Sequence, residues 1–467
     1  MVFLGLSVGL PWPIEAQHRE EVSIEIPDSA DTLVPPADTT GSPQKCPMCI
    51  ERRPFVAAVE VVGINIMGNA VARLQNANSV VGPGSWSRNL SNGFEWDTDR
   101  FYTNFLEHPI AGTGFYNTAR SNGMNFWESA PFVTVGSLMF EYFGEVNRPS
   151  ANDMFTTTLG GVSLGETLYR VSSLVLDNED TGISRVFREI GAFVLNPIRG
   201  VNRLMFGHMT SVGPNTFDRS PGHLSMNLKV GARRVASGLS LENGVTDDFV
   251  GFEMDYGDPL ERELKKPFRV FTLDTHLHHS SERVLGGLRV RGNLYGGSLK
   301  RARNGRTRHK FMVSLDYEFA ENPAYRYAQH SIDVGVVSGW GVSEAWSVRT
   351  HVGVEVVPFG AVGNSAFPEA VYDFGFGAGF FLEAHLLHRR SRLLQLAYES
   401  AWHHTVNGRY DDRRVQFVVA RARFPVFRRL GLGITGILFR SDSYSSTIPN
   451  ASQRSPQLRV YSSWRLD

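Results

Sequence analysis

Phe311-Met-Val-Ser-Leu-Asp-Tyr-Glu-Phe319 decides the fold of this chain. Its odd positions, Phe311, Val313, Leu315, Tyr317 and Phe319, are apolar or aromatic, while Ser314, Asp316 and Glu318 are polar. Successive side chains leave opposite faces of a β-strand, so a period of two is the imprint of a strand with one apolar and one polar face.

The pattern recurs on both sides of this stretch. Val352, Val354 and Val356 oppose His351 and Glu355; Phe374, Phe376, Phe380 and Leu382 oppose Asp373, Gly375, Gly377 and Gly379. Leu394, Leu396, Tyr398 and Trp402 oppose Gln395, Glu399 and His403, and Leu458, Val460 and Trp464 oppose Arg459, Ser463 and Arg465. The alternation predicts strands near 224–234, 248–257, 268–279, 285–297, 309–320, 329–339, 344–356, 371–385, 391–403, 412–423, 429–440 and 455–466. Twelve is an even number, as antiparallel closure of a single-chain transmembrane barrel requires. Most runs reach the roughly nine to eleven residues that cross a bilayer at a tilt. A soluble sandwich would also alternate, but with shorter strands and fewer charges on the polar face. The expected fold is therefore an all-β transmembrane barrel over 220–467. Trp464 stands three residues short of the C-terminus, a departure from barrels that end on an aromatic residue.

The composition fits this reading. The 467 residues carry 47 Lys plus Arg against 47 Asp plus Glu, so no basic excess points to nucleic acid. No run of 18 or more apolar residues occurs, which argues against a membrane protein built of helices. Residues 1–17 resemble the end of a secretory signal without its positive n-region. Residues 18–51, with Pro27, Pro35, Pro36 and Pro43, have the composition of a disordered linker. They hold the two cysteines, Cys46 and Cys49, whose Cys-x-x-Cys lacks the second half of a zinc site and reads as a local disulfide or an inert pair.

Residues 52–210 read as a helical, glycine-rich segment. Val56, Val59, Val62, Ile66 and Ala70 recur at roughly helical spacing, 83–100 reads as a loop, and 126–146 is a helical-length apolar run. Ser150 or Asn152 is placed to cap the next helix. Gly161 and Gly165 share a face on which another backbone can approach, and Glu166 and Arg170 can pair across one turn. Over 101–207 run Asn104-x3-His108-Pro109-x2-Gly112, Ala119-Arg120-Ser121-Asn122-Gly123, Trp127-Glu128-Ser129, Pro149-Ser150-x-Asn152-Asp153, Gly160-Gly161-x3-Gly165-Glu166-x2-Tyr169-Arg170 and Asn196-Pro197-x2-Gly200-x-Asn202-Arg203. This string resembles an uncharacterised family of bacterial envelope proteins, a domain of unknown function, over about residues 94–207. The resemblance implies a bacterial outer-membrane setting and no particular reaction.

Two placements suit such a segment: a helical plug inside the barrel, which is favoured because its acids would meet a charged lumen, or a periplasmic domain beneath it. As chemistry, His108, Ser121, Ser129, Glu128, Glu141, Glu145, Asp153, Glu166 and Arg170 supply candidates for a hydrolase acting on lipid or envelope glycan. No Gly-x-Ser-x-Gly elbow accompanies them, and structural hydrogen bonding is the competing reading. Asp274, His276 and His278 alternate on one strand, a spacing that a divalent metal or an ordinary lumen would each accept. Arg289, Arg291, Arg421, Arg423, Arg459 and Arg465 put cations on strands, to pair with a plug's acids, attract anionic solutes or contact lipopolysaccharide at a rim. The leading expectation is a plugged or narrow barrel in transport or envelope structure. Its expected partners are outer-membrane lipid, lipopolysaccharide and the barrel insertion machinery, and neither a cofactor nor a metal is expected.

Overall fold

The computed structural model describes residues 50–75, 80–278, 284–299, 307–389 and 391–466. The signal segment and nearly all of the linker, including Cys46 and Cys49, lie outside the described residues. Described residues form seven α-helices and then twelve strands. The helices are α1 (Pro54–Gln75), α2 (Pro83–Asn92), α3 (His108–Ser121), α4 (Phe126–Met139), α5 (Ala151–Val175), α6 (Gly182–Leu195) and α7 (Pro197–Met205). The strands are β1 (Leu224–Val235), β2 (Val245–Tyr256), β3 (Phe271–His278), β4 (Leu285–Ser298), β5 (Thr307–Glu321), β6 (Tyr325–Gly341), β7 (Trp346–Asn364), β8 (Tyr372–His388), β9 (Ser391–Asn407), β10 (Asp412–Phe427), β11 (Leu430–Tyr444) and β12 (Ala451–Arg465).

Each strand pairs antiparallel with its sequence neighbours, and β1 pairs with β12 from Asn227↔Arg465 to Val235↔Gln457, closing the barrel. Closure leaves no unpaired edge, the condition for a sheet to exist in hydrocarbon. Every expected strand is present. The wall is polarised opposite to a soluble barrel. Val334, Val354 and Val460 are 50–59% exposed on the outside, whereas their neighbours Asp333, Glu355 and Arg233 are at most 2% exposed inside.

The helices stand against the outside of this wall, not inside it. Tyr317 pairs directly with His330, and Val313 with the exposed Val334, so Tyr317 and Val313 share the outer face. There the Tyr317 hydroxyl donates to the Phe105 carbonyl at 2.6 Å, and Phe319 stacks on Phe101 at 5.7 Å between centroids. The favoured plug is thus corrected, and so is the alternative of a domain beneath the barrel. The physical reason is on the lumenal side, where strand acids are already paired with strand arginines. A different segment enters the mouth: Leu260 and Leu264 of the β2–β3 connection pack on the inward Met312 and Val337.

Within the helical layer, local chemistry fixes the ends. Asn125 and Glu128 form a reciprocal capping box at the start of α4, with hydrogen bonds of 3.1 and 3.0 Å. Ser150 caps α5 by accepting from the Asp153 N–H at 3.2 Å. Residues 83–92 are helical rather than the expected loop; Pro83 opens α2, and Asn89 donates to the Glu141 and Glu145 carbonyls. Gly112 and Gly161 bring α3 and α5 into backbone contact, since a Cβ on Gly161 would lie 2.6 Å from the Gly112 Cα.

Candidate functional site

The lumen holds two knots of paired charge among the described residues. Arg291 on β4 reaches Asp316 of β5 at 2.8 Å, Asp333 of β6 at 3.0 Å and Glu383 of β8 at 2.8 Å. Arg289 joins Asp316 at 2.7 Å, Glu318 at 3.1 Å and, across the barrel, Glu399 of β9 at 2.8 Å. A second knot centres on Glu253 of β2, which meets Lys229 at 2.6 Å, Arg423 at 2.6 Å, and Arg421 and Arg392 at 3.1 Å. Buried charges survive only when paired and hydrogen-bonded, and here each strand supplies what the opposite wall lacks. Of the arginines expected to serve a plug's acids, Arg289, Arg291, Arg421 and Arg423 serve these instead.

Asp274, His276 and His278 do face inward together. Asp274 is held by Lys229 and Arg421, at 3.1 and 3.2 Å. Arg459 stands 3.1 Å from His276 Nε2, and Arg233 stands 2.8 Å from His278 Nε2. Guanidinium N–H groups can only donate, so these imidazole nitrogens act as acceptors and are engaged. Among the described residues no group of three or more His, Cys, Asp or Glu side chains has the arrangement to hold a metal ion.

Beneath the ion pairs, towards the end away from the chain termini, the lumen turns apolar. Tyr325 of β6 stacks on Phe439 of β11 with centroids 3.9 Å apart, and Phe417 and Tyr327 pack beside them. Val235, Val362 and Val415 complete a buried cluster drawn from five strands. Of these strands, β6 and β7 face β11 and β1 across the ring, so the cluster spans the bore. On its terminus side lies a cavity of about 1100 Å³, floored by Tyr325 and Phe417 and rimmed by Arg389 and Arg428. At that mouth Arg349 pairs with Asp258; burial alone would raise the Asp258 carboxyl, but the guanidinium and the Leu260 N–H hold it below its ordinary value.

The helical candidates for catalysis separate into distinct places. At one end of the bundle, His108 Nε2 lies 3.4 Å from Asp153, and the buried Glu141 accepts from the Ser150 N–H at 2.7 Å. Glu145 beside them is pushed up to about 7, first by burial and then by Asp99 and Asp97. Farther along α5, Glu166 is clasped by Arg120 and Arg170, both at 2.8 Å, and by the Tyr116 hydroxyl at 2.8 Å. Thirteen residues of α5 separate Asp153 from Glu166, a distance of about 20 Å at the helical rise. Glu128 is spent on the α4 cap and on Arg52 at 2.7 Å. The Ser129 hydroxyl donates to the Asn125 carbonyl of its own helix, and the Ser121 hydroxyl is buried with no hydrogen-bond partner. These residues are not gathered into one nucleophile–base constellation. The sequence did signal the Glu166–Arg170 pair; it gave no sign that Arg120 and Tyr116 would join it.

No curated protein matches the chain. Among solved structures, the NanC porin aligns at 8% identity over 50% of this chain and 98% of its own, with a TM-score of 0.24. The outer membrane channel DcaP of Acinetobacter baumannii aligns at 7% identity over 52% and 96%, also at 0.24, and the KdgM porin at 8% over 50% and 98%, at 0.21. Likenesses this distant leave the fold to rest on its own strand pairing. Residues 93–198, which run from the approach to α3 into α7, match the family model described as Domain of unknown function (DUF3943).

Proposed function

We propose that the chain is a bacterial outer-membrane barrel acting in transport or envelope structure, with a lumen that is closed at rest. The observation that carries this is the inverted wall: apolar side chains outside, and ion-paired arginines and carboxylates inside a ring without edges. A soluble barrel with that polarity would expose a continuous apolar belt to water, whereas lipid removes the penalty. Closure at rest is supported by the Tyr325–Phe439 layer across the bore and by the blind cavity that ends on it. Access is then from the terminus side, which in this class of barrel is the periplasm. The enzymatic alternative is not supported: Ser121, Glu128 and Glu166 stand apart from the His108–Asp153 pair.

Single-channel recording in planar bilayers tests the reading. The unmodified protein is expected to insert without steady conductance. Tyr325→Ala combined with Phe417→Ala and Phe439→Ala is expected to open a stable pore, since these three rings fill the constriction. A steady open pore in the unmodified protein would remove the closed-lumen reading. So would a folded triple variant that stays silent.

A further inference from the structure

The bundle formed by α1, α3, α4 and α5 is inverted in the same sense as the barrel wall. On α1, the side chains turned away from the protein are Phe55, Val59, Val62, Ile66, Met67 and Val71, 42–79% exposed and without a polar residue between them on that face. Glu60, Asn65 and Asn69 of α1 point inward instead, and the exposed Arg73 lies in its last turn. Asn65 is buried and donates to the Val61 carbonyl, Asn69 donates to the Gly144 carbonyl at 2.9 Å, and Asn122 and Asn202 donate to Glu60. A surface helix of a soluble protein has the opposite arrangement. The other helices agree: Ile110 on α3, Trp127 and Val135 on α4 and Phe155 on α5 are the large exposed side chains there. The inward face of α5 holds Asn152, Asp153, Thr156, Thr157, Glu166 and Arg170.

The geometry also matches a bilayer. The four helices run alternately up and down the barrel wall. At the terminus end Phe126 stacks on Phe268 and Arg170 donates to the Pro267 carbonyl; at the other end Phe105 and Phe155 stack on Phe359, and Asn104 donates to the Tyr372 hydroxyl. The 22 residues of α1 are about 33 Å long, close to the roughly 30 Å of a hydrocarbon core. Its stretch Pro54–Leu74 is long and apolar enough to cross a membrane, and it is mostly exposed, unlike the core helix of a soluble protein that passes the same test. The expectation against membrane helices arose because Glu60, Asn65 and Asn69 interrupt the apolar run, and these are the residues that face the bundle.

We propose that this four-helix bundle is embedded in the membrane beside the barrel, with acyl chains of the same bilayer covering the outer face of α1. The occupant follows from continuity: the exposed α1 face and the exposed belt of the strands belong to one molecule at one height, and water cannot cover the first while lipid covers the second. Interhelical contact then relies on small residues and internal polar pairs, as at Gly112–Gly161 and Glu166–Arg120–Arg170. This inference rests on the outer-membrane reading of the barrel.

Spin labels in lipid nanodiscs test it, on full chain carrying C46S and C49S. V59C, V62C and I66C report the α1 face, V354C reports the barrel belt, and R88C on the exposed face of α2 reports water. Collision with oxygen, which concentrates in lipid, is compared with collision with a polar nickel chelate. The α1 labels are expected to share the oxygen preference of V354C, opposite to R88C. Nickel-accessible α1 labels beside an oxygen-accessible V354C would overturn the bundle's insertion and leave the barrel intact. Labels at α1 shielded from both reagents would overturn lipid as the occupant in favour of a second protein surface. A nickel-accessible V354C would overturn the barrel reading itself, and the bundle with it.

Discussion

Arg291→Met is the substitution whose effect the lumen geometry determines most closely. The side chain is nearly buried and holds three carboxylates from β5, β6 and β8. Methionine keeps the volume and removes the charge. Asp316 would retain Arg289 at 2.7 Å, and Glu383 would retain His385 at 3.4 Å. Asp333 would be left with only the Ser331 hydroxyl, at 2.7 Å. Removing one partner of a buried ion pair costs about 3–5 kcal/mol, because the remaining charge is stranded. With Asp316 still ion-paired and Glu383 still beside the His385 imidazole, the lower end applies, about 3 kcal/mol. The assay is urea unfolding in lipid vesicles, followed by tryptophan fluorescence. The decisive comparison is Arg291→Met with Asp333→Asn, which removes the carboxylate left with the fewest partners and should recover most of the loss. A single substitution that costs under about 1 kcal/mol, or a double that recovers nothing, would refute the pairing scheme, since exposed pairs are worth that little.

Three further outcomes follow from the bundle. Gly161→Val should loosen α3 from α5 by about 1–3 kcal/mol, because its Cβ meets backbone that cannot rotate away; hydrogen exchange of α3 and α5 should accelerate while the barrel amides stay protected. Glu145 binds its proton more tightly in the fold, with a value of about 7 against an ordinary 4.5. Its folded value is raised, so stability at that end of the bundle should fall as pH rises from about 4.5 through 7; exchange of residues 145–155 at matched intrinsic rates should show this, and Glu145→Gln should reduce it, leaving the part due to Glu141 and Asp153, whose carboxyls burial also raises. Breaking the Glu166 clasp with Glu166→Ala leaves Arg120 and Arg170 sharing Asp218, at 3.9 and 3.0 Å, and should destabilise the bundle by about 3 kcal/mol, read as protease sensitivity in α5, whereas Glu166→Gln should do less.

The strands were legible because alternation is local. In β5 the nine residues from Phe311 to Phe319 declare a face each, whatever lies around them. What those faces meet was not legible. Val313 and Phe319 share one side and read alike, yet only Phe319 lies under Phe101. The far part of β7 was missed because Pro358 and a register shift between Val357 and Gly360 break the period of two. Tyr325 and Tyr327 carried an unread signal: aromatic residues on the face of β6 that also holds Gln329 and Asp333. In the helical segment, Glu166 and Arg170 are one turn apart and could be paired on sight, but Arg120 comes 46 residues earlier and only packing brings it there. The plug was expected because lumenal charge demands partners; the opposite strands supply them, at separations that no single sequence window spans.

The central claim is that the twelve strands form a lipid-embedded barrel, and heat-modifiable migration of membrane-extracted protein tests it most directly. Unboiled protein from the outer-membrane fraction should run at a different apparent mass from the boiled sample, as a closed barrel that resists detergent does. Identical migration, with the protein recovered in the soluble fraction, would contradict the account.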